Sequence, residues 1–533
     1  MSASTRAAPT RLGRLTIFGL MLGAIGVFGF WHFKLWHYFL DDAYITFRYA
    51  QNFAEGHGLT FNPNGAPVEG YTNFLWTLLM APAFSWGIDI TLWAKGWSIA
   101  LGVISALLVG SLIPTNKPRD HWIKWSCVAL SLMHPVVVLS EADGLETPLL
   151  TVSTLAVAWV LIKRPVDQVK LPRLVLAGVF ATCAALSRPD GLAVAIAAVM
   201  AWSFAHKQWK RALVVLAVPV TVVVVHALWR HSVYGAWVPN TFYVKVGGRM
   251  DIMMAGAKLG GKFMVWTGAI ALWAPVLWWM GHRRLKDAGE RETDSRLLAV
   301  GSFLFLAVGA RFAFVIYSGG AWMGTYRFLA PALPLLYALA GLALVYWLPS
   351  GPTPLWRRLI APGLLAMSAG LALLWGMRLV PGQVKYGDRL GRSTIEVGKF
   401  LKTAGQPGDE VAVLDAGAIP FYSGMGALDL VGLNDAHLAR NGARSPTPKK
   451  HYMLTLDAQA DRDYIFDRNP RWMVLQTKEP AVDAVKTDKR ASVRNLAADP
   501  RFEQYEHVWR FESSKTYHYH VFKRRDETGQ GAL

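Results

Sequence analysis

Residues 41–74 read DDAYITFRYAQNFAEGHGLTFNPNGAPVEGYTNF, with adjacent carboxylates at Asp41 and Asp42 followed by Arg48, Glu55, His57, Glu69 and Asn73. Polar groups recur in short segments between apolar runs. "SEADGLETPLL" carries Glu141, Asp143 and Glu146, and "LSRPDG" carries Arg188 and Asp190. "WVPNTFYVKVGG" carries Asn240, Tyr243 and Lys245, and "YSGGAWMGTYRFLAP" carries Tyr317, Tyr326 and Arg327. Ionisable residues at the ends of apolar helices are costly and point first to function. Carboxylates there can act as a general base, and cations can hold an anion. The anion suited to such a boundary is a lipid phosphate, its isoprenoid tail between helices and its phosphate against Arg or Lys. Water-poor surroundings strengthen each such contact.

Each residue also has a plainer reading. One of Asp41 and Asp42 can stabilise the first turn of a helix over "AYITFRYAQNFAEG", but two in tandem exceed what a cap requires. Arg188 and Arg327 can snorkel, Asp143 and Glu146 can cap, and Asp190 follows a proline as turn residues do. His57, between Gly56 and Gly58, suits a turn. Trp76, Trp93 and Trp97 suit interfacial anchors better than sugar platforms.

The elements that must position these groups are membrane helices. The 533 residues are 53% hydrophobic and only 17% charged, and the apolar residues fall in runs of roughly 17–22, the length of a bilayer span. A soluble chain this long would instead divide into several cores. The net charge of +19 does not indicate nucleic acid, because the basic residues are dispersed in short loops. They include Arg6, Arg11 and Arg14; Lys163 and Arg164; Lys207, Lys210 and Arg211; Arg283, Arg284 and Lys286; Arg357 and Arg358. That pattern orients a polytopic protein with these loops in the cytoplasm. Cys127 and Cys183 lie within apolar runs and read as small buried residues.

An uncleaved first helix from Leu15 to about Trp31 precedes the outer loop at 37–71. Further apolar peaks follow near 72–90, 92–113, 122–140, 147–162, 173–187, 191–206, 212–229, 262–281, 297–317, 328–348 and 359–379. A cytoplasmic start and an external end need an odd number of crossings, so one peak between residues 71 and 141 must be split, re-entrant or doubled. The expected architecture is a polytopic α-helical membrane domain over 1–384, with about 11–13 transmembrane helices. An extracytoplasmic α/β domain is expected over 385–533, with strands at "VAVLD", "RWMVLQ" and "YHYHVFKRR" and a helix over "RSTIEVGKFLKTAG".

The strings "DDAYITFRYAQNFAEGHGLTFNPNGAPVEGYTNFLW", "GLETPLL", "SRPDG", "PNTFYVKVG", "GGAWMGTYRFLAPALPLL" and "DAGAIPFYSG...DLVGLND" occur in this order. With them the chain resembles the GT-C superfamily of integral-membrane glycosyltransferases, and within it the AftB-like arabinofuranosyltransferase branch. The likeness covers nearly the whole chain. It implies a sugar, arabinofuranose first, carried on a polyprenyl phosphate and transferred at the outer side of a bacterial plasma (inner) membrane to a cell-envelope glycan or protein acceptor. It implies that a first-loop carboxylate, Asp41 or Asp42 with Asp41 preferred, is the catalytic base of an inverting displacement. Arg48, Arg188, Lys245 or Arg327 would then neutralise the departing phosphate, with His57, Glu69, Glu146, Asn240 and Tyr326 as further substrate contacts. No cofactor and no metal are implied, and no nucleic acid partner. Ala321 stands where relatives commonly carry an acidic residue, which bears on the sugar. The rival reading is a transporter or flippase of lipid-linked saccharides, for which related halves and midplane helix breaks are the usual signs.

Overall fold

The computed structural model describes residues 9–162, 169–245, 250–320, 325–348, 354–446, 452–514 and 517–526. Ala321, Lys163 and Arg164 lie outside them. The chain begins with α1 (Arg11–Lys34), α2 (Asp41–Ala54), α3 (Phe74–Ser85), α4 (Ile90–Leu112), α5 (Pro118–Met133), α6 (Pro135–Ala142), α7 (Thr147–Ile162) and α8 (Leu171–Ser187). It continues with α9 (Leu192–His206), α10 (Trp209–Tyr234), α11 (Asn240–Lys245), α12 (Met250–Trp266), α13 (Ile270–Asp287), α14 (Arg291–Ser318), α15 (Ala332–Trp347) and α16 (Leu355–Tyr386). Among the described residues six helices are long and apolar enough to cross a membrane, and eight spans result if each of two bent pairs is one. Four shorter apolar helices, α3, α7, α8 and α15, complete the set, and each apolar peak of the sequence falls on one of these helices.

The bends have local causes. His134 is extended between α5 and α6, and Pro135, which cannot donate to the preceding turn, restarts the helix after a 45° change of direction. Gly268 and Ala269 both take positive φ between α12 and α13, where the axis turns by 69°. Helix α3 is the short one between residues 71 and 141. Its 12 residues reach about 18 Å at 1.5 Å per residue, well below a hydrocarbon core of about 30 Å.

The chain divides into two compact units. The helical unit takes Met1–Trp36, Ala94–His226 and Gly248–Gly382. In its core α15 is buried from Ala332 to Val345, with Leu333, Leu336, Tyr337 and Leu344 among the residues enclosed. The sequence reading cuts the chain once, between 384 and 385. The second unit starts at Gln383 and also includes His37–Trp93 and Ala227–Gly247.

This second unit is built on a sheet of β1 (Glu410–Val413), β2 (Gly426–Asp429), β3 (Trp472–Thr477), β4 (Tyr505–Ser514) and β5 (Tyr517–Arg524), in the order β2-β1-β3-β5-β4. Strand β1 runs parallel to β2 and β3, whereas β5 is antiparallel to β3 and β4. The period of two along each strand separates two apolar faces. Val411, Val413, Trp472, Val474, Tyr519 and Val521 share one with Ile45, Tyr49, Phe61 and Tyr71 of the first loop. Ala412, Met473, Leu475 and Phe522 share the other with Leu438, Ile465, Val493 and Leu496. Helix α2 is therefore an internal element of this unit, its residues Ala43–Ala50 all buried. The expected helix is observed at Arg392–Ala404, followed by Gly405.

Candidate active site

Asp41 and Asp42 occupy the first turn of α2, whose N-cap Leu40 offers no side-chain cap. Asp41 does not turn back on its own helix. Its Oδ2 accepts the Gly417 N–H at 2.9 Å and its Oδ1 accepts the Ala418 N–H at 2.9 Å, at the start of the short helix Ala418–Ser423. A glycine is required at 417, since a Cβ there would lie 1.9 Å from the Asp41 carbonyl oxygen. Burial pushes the Asp41 carboxyl well above the usual carboxylate range, and the neighbouring Asp415 adds to this against the two amide hydrogen bonds. Asp415 is itself raised by burial, opposed by the Tyr519 hydroxyl that donates to its Oδ2 at 2.7 Å. Asp42 faces Lys245 of α11, with Nζ and Oδ2 3.7 Å apart.

Arg48, Asn240 and Glu69 lie in the same unit and are engaged by the protein itself. Arg48 is buried, and its guanidinium donates to the carbonyls of Phe61, Pro420 and Met425 and to Asn62 Oδ1. Burial lowers its pKa to about 10. Asn240 directs its amide at the carbonyls of Gly432, Leu433 and Asp435. Glu69 is buried and held by the Arg230 guanidinium through both carboxylate oxygens. Its pKa is raised by burial, which the Arg230 contact opposes. His57 is exposed in the turn after α2, where its N–H meets the Asn52 carbonyl.

Glu146, Arg188 and Arg327 come together in the helical unit. Glu146 Oε1 accepts from Arg188 Nη1 at 3.2 Å and Arg327 Nη2 at 2.8 Å. Arg188 Nε also meets Asp190 Oδ1 at 2.9 Å, and Arg311 Nη1 meets Asp190 Oδ2 at 2.5 Å. Burial opposes ionisation of Glu146, but Arg327 and then Arg188 outweigh it and hold its pKa down at about 2. Asp143, deeply buried and opposed only in part by Arg327, is pushed up to about 7. Arg188 stacks over Phe328, 4.3 Å from the ring centroid. Tyr326 has φ of 56° and packs edge-on to Trp375 at 4.8 Å. Among the described residues no group of three or more His, Cys, Asp or Glu side chains is placed to hold a metal ion.

Asp415, Arg230, Arg311 and Tyr519 are not among the candidates the sequence singles out. Arg311 is signalled as the lone charge inside the apolar helix "GSFLFLAVGARFAFVIYS". Tyr519 carries only a weak signal, its alternation with Val521 on one face of β5.

The chain aligns with ArnT from Cupriavidus metallidurans in the apo state with a TM-score of 0.56 and 15% identity, covering 95% of this chain and 97% of that one. The chain has a GT-C-type fold. The same ArnT bound to undecaprenyl phosphate aligns with a TM-score of 0.56 and 14% identity over 96% and 98% of the two chains. The oligosaccharyltransferase of Archaeoglobus fulgidus in its apo form gives 0.49 and 12% identity, over 95% of this chain and 75% of that one. Residues 383–523 match a family described as a domain of unknown function, DUF8728. None of the curated proteins matches the sequence.

Proposed function

We propose that the protein transfers a sugar from a polyprenyl-phosphate donor to an acceptor hydroxyl, with Asp41 as general base. The observation that carries this is the Asp41 carboxylate itself, clamped by two backbone amides and made more basic by burial and Asp415. A base needs a fixed position and a proton affinity near the working pH; moving a lipid needs neither. The likeness to ArnT, solved with undecaprenyl phosphate bound, supports a lipid-phosphate donor. Asp41 takes the acceptor proton, and the acceptor oxygen forms a bond to the anomeric carbon. The bond to the phosphate oxygen breaks with its electron pair, leaving polyprenyl phosphate and an inverted centre. Lys245 beside Asp42 supplies positive charge for that leaving group. Arg48 and Asn240 serve to hold the unit together, and Arg188 and Arg327 to hold Glu146. We take arabinofuranose as the sugar and a cell-envelope glycan or surface protein as the acceptor.

The orientation follows from the basic loops if α3 does not cross. Then α1, α4, the α5–α6 pair, α7, α8, α9, α10, the α12–α13 pair, α14, α15 and α16 cross in turn. That is an odd number, and it returns every basic loop to the cytoplasm. Asp41 and the sheet then face outward from a bacterial plasma membrane.

The test supplies the purified protein with labelled polyprenyl-phosphate arabinofuranose and an envelope glycan fraction. Labelled glycan with released polyprenyl phosphate supports the reading. Transfer from polyprenyl-phosphate mannose alone keeps the reaction class and overturns the sugar. Transport of the donor across vesicles without any transfer overturns the enzyme.

A further inference from the structure

Asp415 follows β1 and opens the turn whose next amides, Gly417 and Ala418, hold Asp41. Three side chains lead to it in a directed chain of hydrogen bonds. Arg490 Nη1 donates to Gln476 Oε1 at 2.6 Å, Gln476 Nε2 donates to the Tyr519 hydroxyl at 3.2 Å, and that hydroxyl donates to Asp415 Oδ2 at 2.7 Å. The sheet order makes this possible. Strand β3 lies between β1 and β5, and Gln476 is registered directly against Tyr519. Both side chains lie on the face that packs α2, so the tyrosine reaches past β3 to the end of β1.

Each link donates toward the carboxylate, and the chain begins at a guanidinium. Donation from Tyr519, with Arg490 behind it, favours the ionised form of Asp415 against the burial that raises its pKa. A second carboxylate kept ionised beside Asp41 opposes ionisation of Asp41. We propose that Asp415 is a positioning residue for Asp41, kept ionised by the Arg490–Gln476–Tyr519 chain so that it sharpens Asp41 as a proton acceptor. The C-terminal sheet is then a working part of the reaction centre. This rests on the transferase reading for its activity readout.

Other groups facing Asp41 are Asp42 and Tyr44 of α2, Tyr386 at the end of α16, and Tyr519. Arg490, Asp42, Tyr386 and Tyr452 face Asp415, and Lys245 faces Asp42.

The experiment measures kcat/KM against pH for the full-length protein and for Asp415→Asn, Tyr519→Phe and Asp415→Glu. The acidic limb of the wild-type profile reports the base. It moves down by about one pH unit in Asp415→Asn, by less in Tyr519→Phe, and returns toward wild type in Asp415→Glu. If Asp415→Asn fails to fold, Tyr519→Phe carries the reading. A limb unmoved in every folded variant overturns the proposal, whatever the loss in rate. If the wild type transfers no sugar, the transferase reading fails and infrared titration decides separately. The carboxyl band that disappears in Asp41→Asn then titrates at lower pH in Asp415→Asn if the proposal holds, and at the wild-type pH if it does not.

Discussion

The Asp41 carboxylate accepts the backbone N–H of Gly417 at 2.9 Å, joining the first turn of α2 to the turn after β1. A Cβ at 417 would also meet the Asp41 carboxyl carbon at 2.6 Å, so Gly417→Ala must displace the side chain proposed as the base. Forced overpacking of this kind costs roughly 1–3 kcal/mol. The expected outcome is a fall in transfer of at least about tenfold with a modest drop in melting temperature. Unimpaired transfer by Gly417→Ala would remove the amide clamp from the mechanism.

Asp41 and Asp42 should separate cleanly. Asp42→Asn removes only a half-exposed pair with Lys245 at 3.7 Å, a contact worth about 0–1 kcal/mol to stability. Transfer should survive at reduced rate. Asp41→Asn should lower it by about 10²–10⁴-fold, the usual contribution of a general base. Rates for the two purified variants, compared with their melting curves, test this ordering, and the reverse ordering would reassign the base.

Glu146→Gln tests the ionic network of the helical unit. It would leave the buried cations Arg188 and Arg327 without the carboxylate they share, a change that costs about 3–5 kcal/mol when a buried pair is broken. Thermal unfolding in detergent should show a large drop. The same network gives a pH dependence. The folded pKa of Glu146 is depressed from 4.5 to about 2, so its contribution is complete above the unfolded value and is lost as pH falls through about 2. Glu146→Gln should flatten acid destabilisation in that window. A variant with wild-type stability across the window would show the network to be dispensable.

The short α3 gives a topological prediction. A cysteine placed at Asp89, between α3 and α4, should react with a membrane-impermeant maleimide added outside intact cells. One at Lys117, before α5, should react only after permeabilisation. Protection of the Asp89 site from the outside would mean that α3 crosses after all.

The legible parts of the site are those where residue type alone carries the signal. Tandem carboxylates at a membrane boundary single out Asp41 and Asp42, and charges beside apolar helices single out Glu146, Arg188 and Arg327. Arg48 and Asn240 carry the same signal with a different outcome, because their partners are backbone carbonyls of Pro420, Met425 and Gly432. A carbonyl has no signature in sequence. The apolar peaks are legible as helices, yet hydropathy does not distinguish α3, at 12 residues, from a crossing helix. Strands β1, β3 and β5 show as short runs of apolar, β-branched and aromatic residues. Strand β2, Gly-Ala-Leu-Asp, holds no β-branched or aromatic residue, and β4 is interrupted by irregular register between His507 and Trp509. The joining of the first loop to the sheet depends on pairing over hundreds of residues, which no local pattern records.

Under the proposed function, Asp41 drives transfer of a lipid-linked sugar to an envelope acceptor. It is tested by mass spectrometry of envelope glycans and surface proteins from cells lacking this protein, complemented with wild type or with Asp41→Asn at equal membrane levels. The expected outcome is a glycan or protein modification missing from the deletion strain, restored by wild type and absent with Asp41→Asn. Restoration by Asp41→Asn to the wild-type level would contradict it.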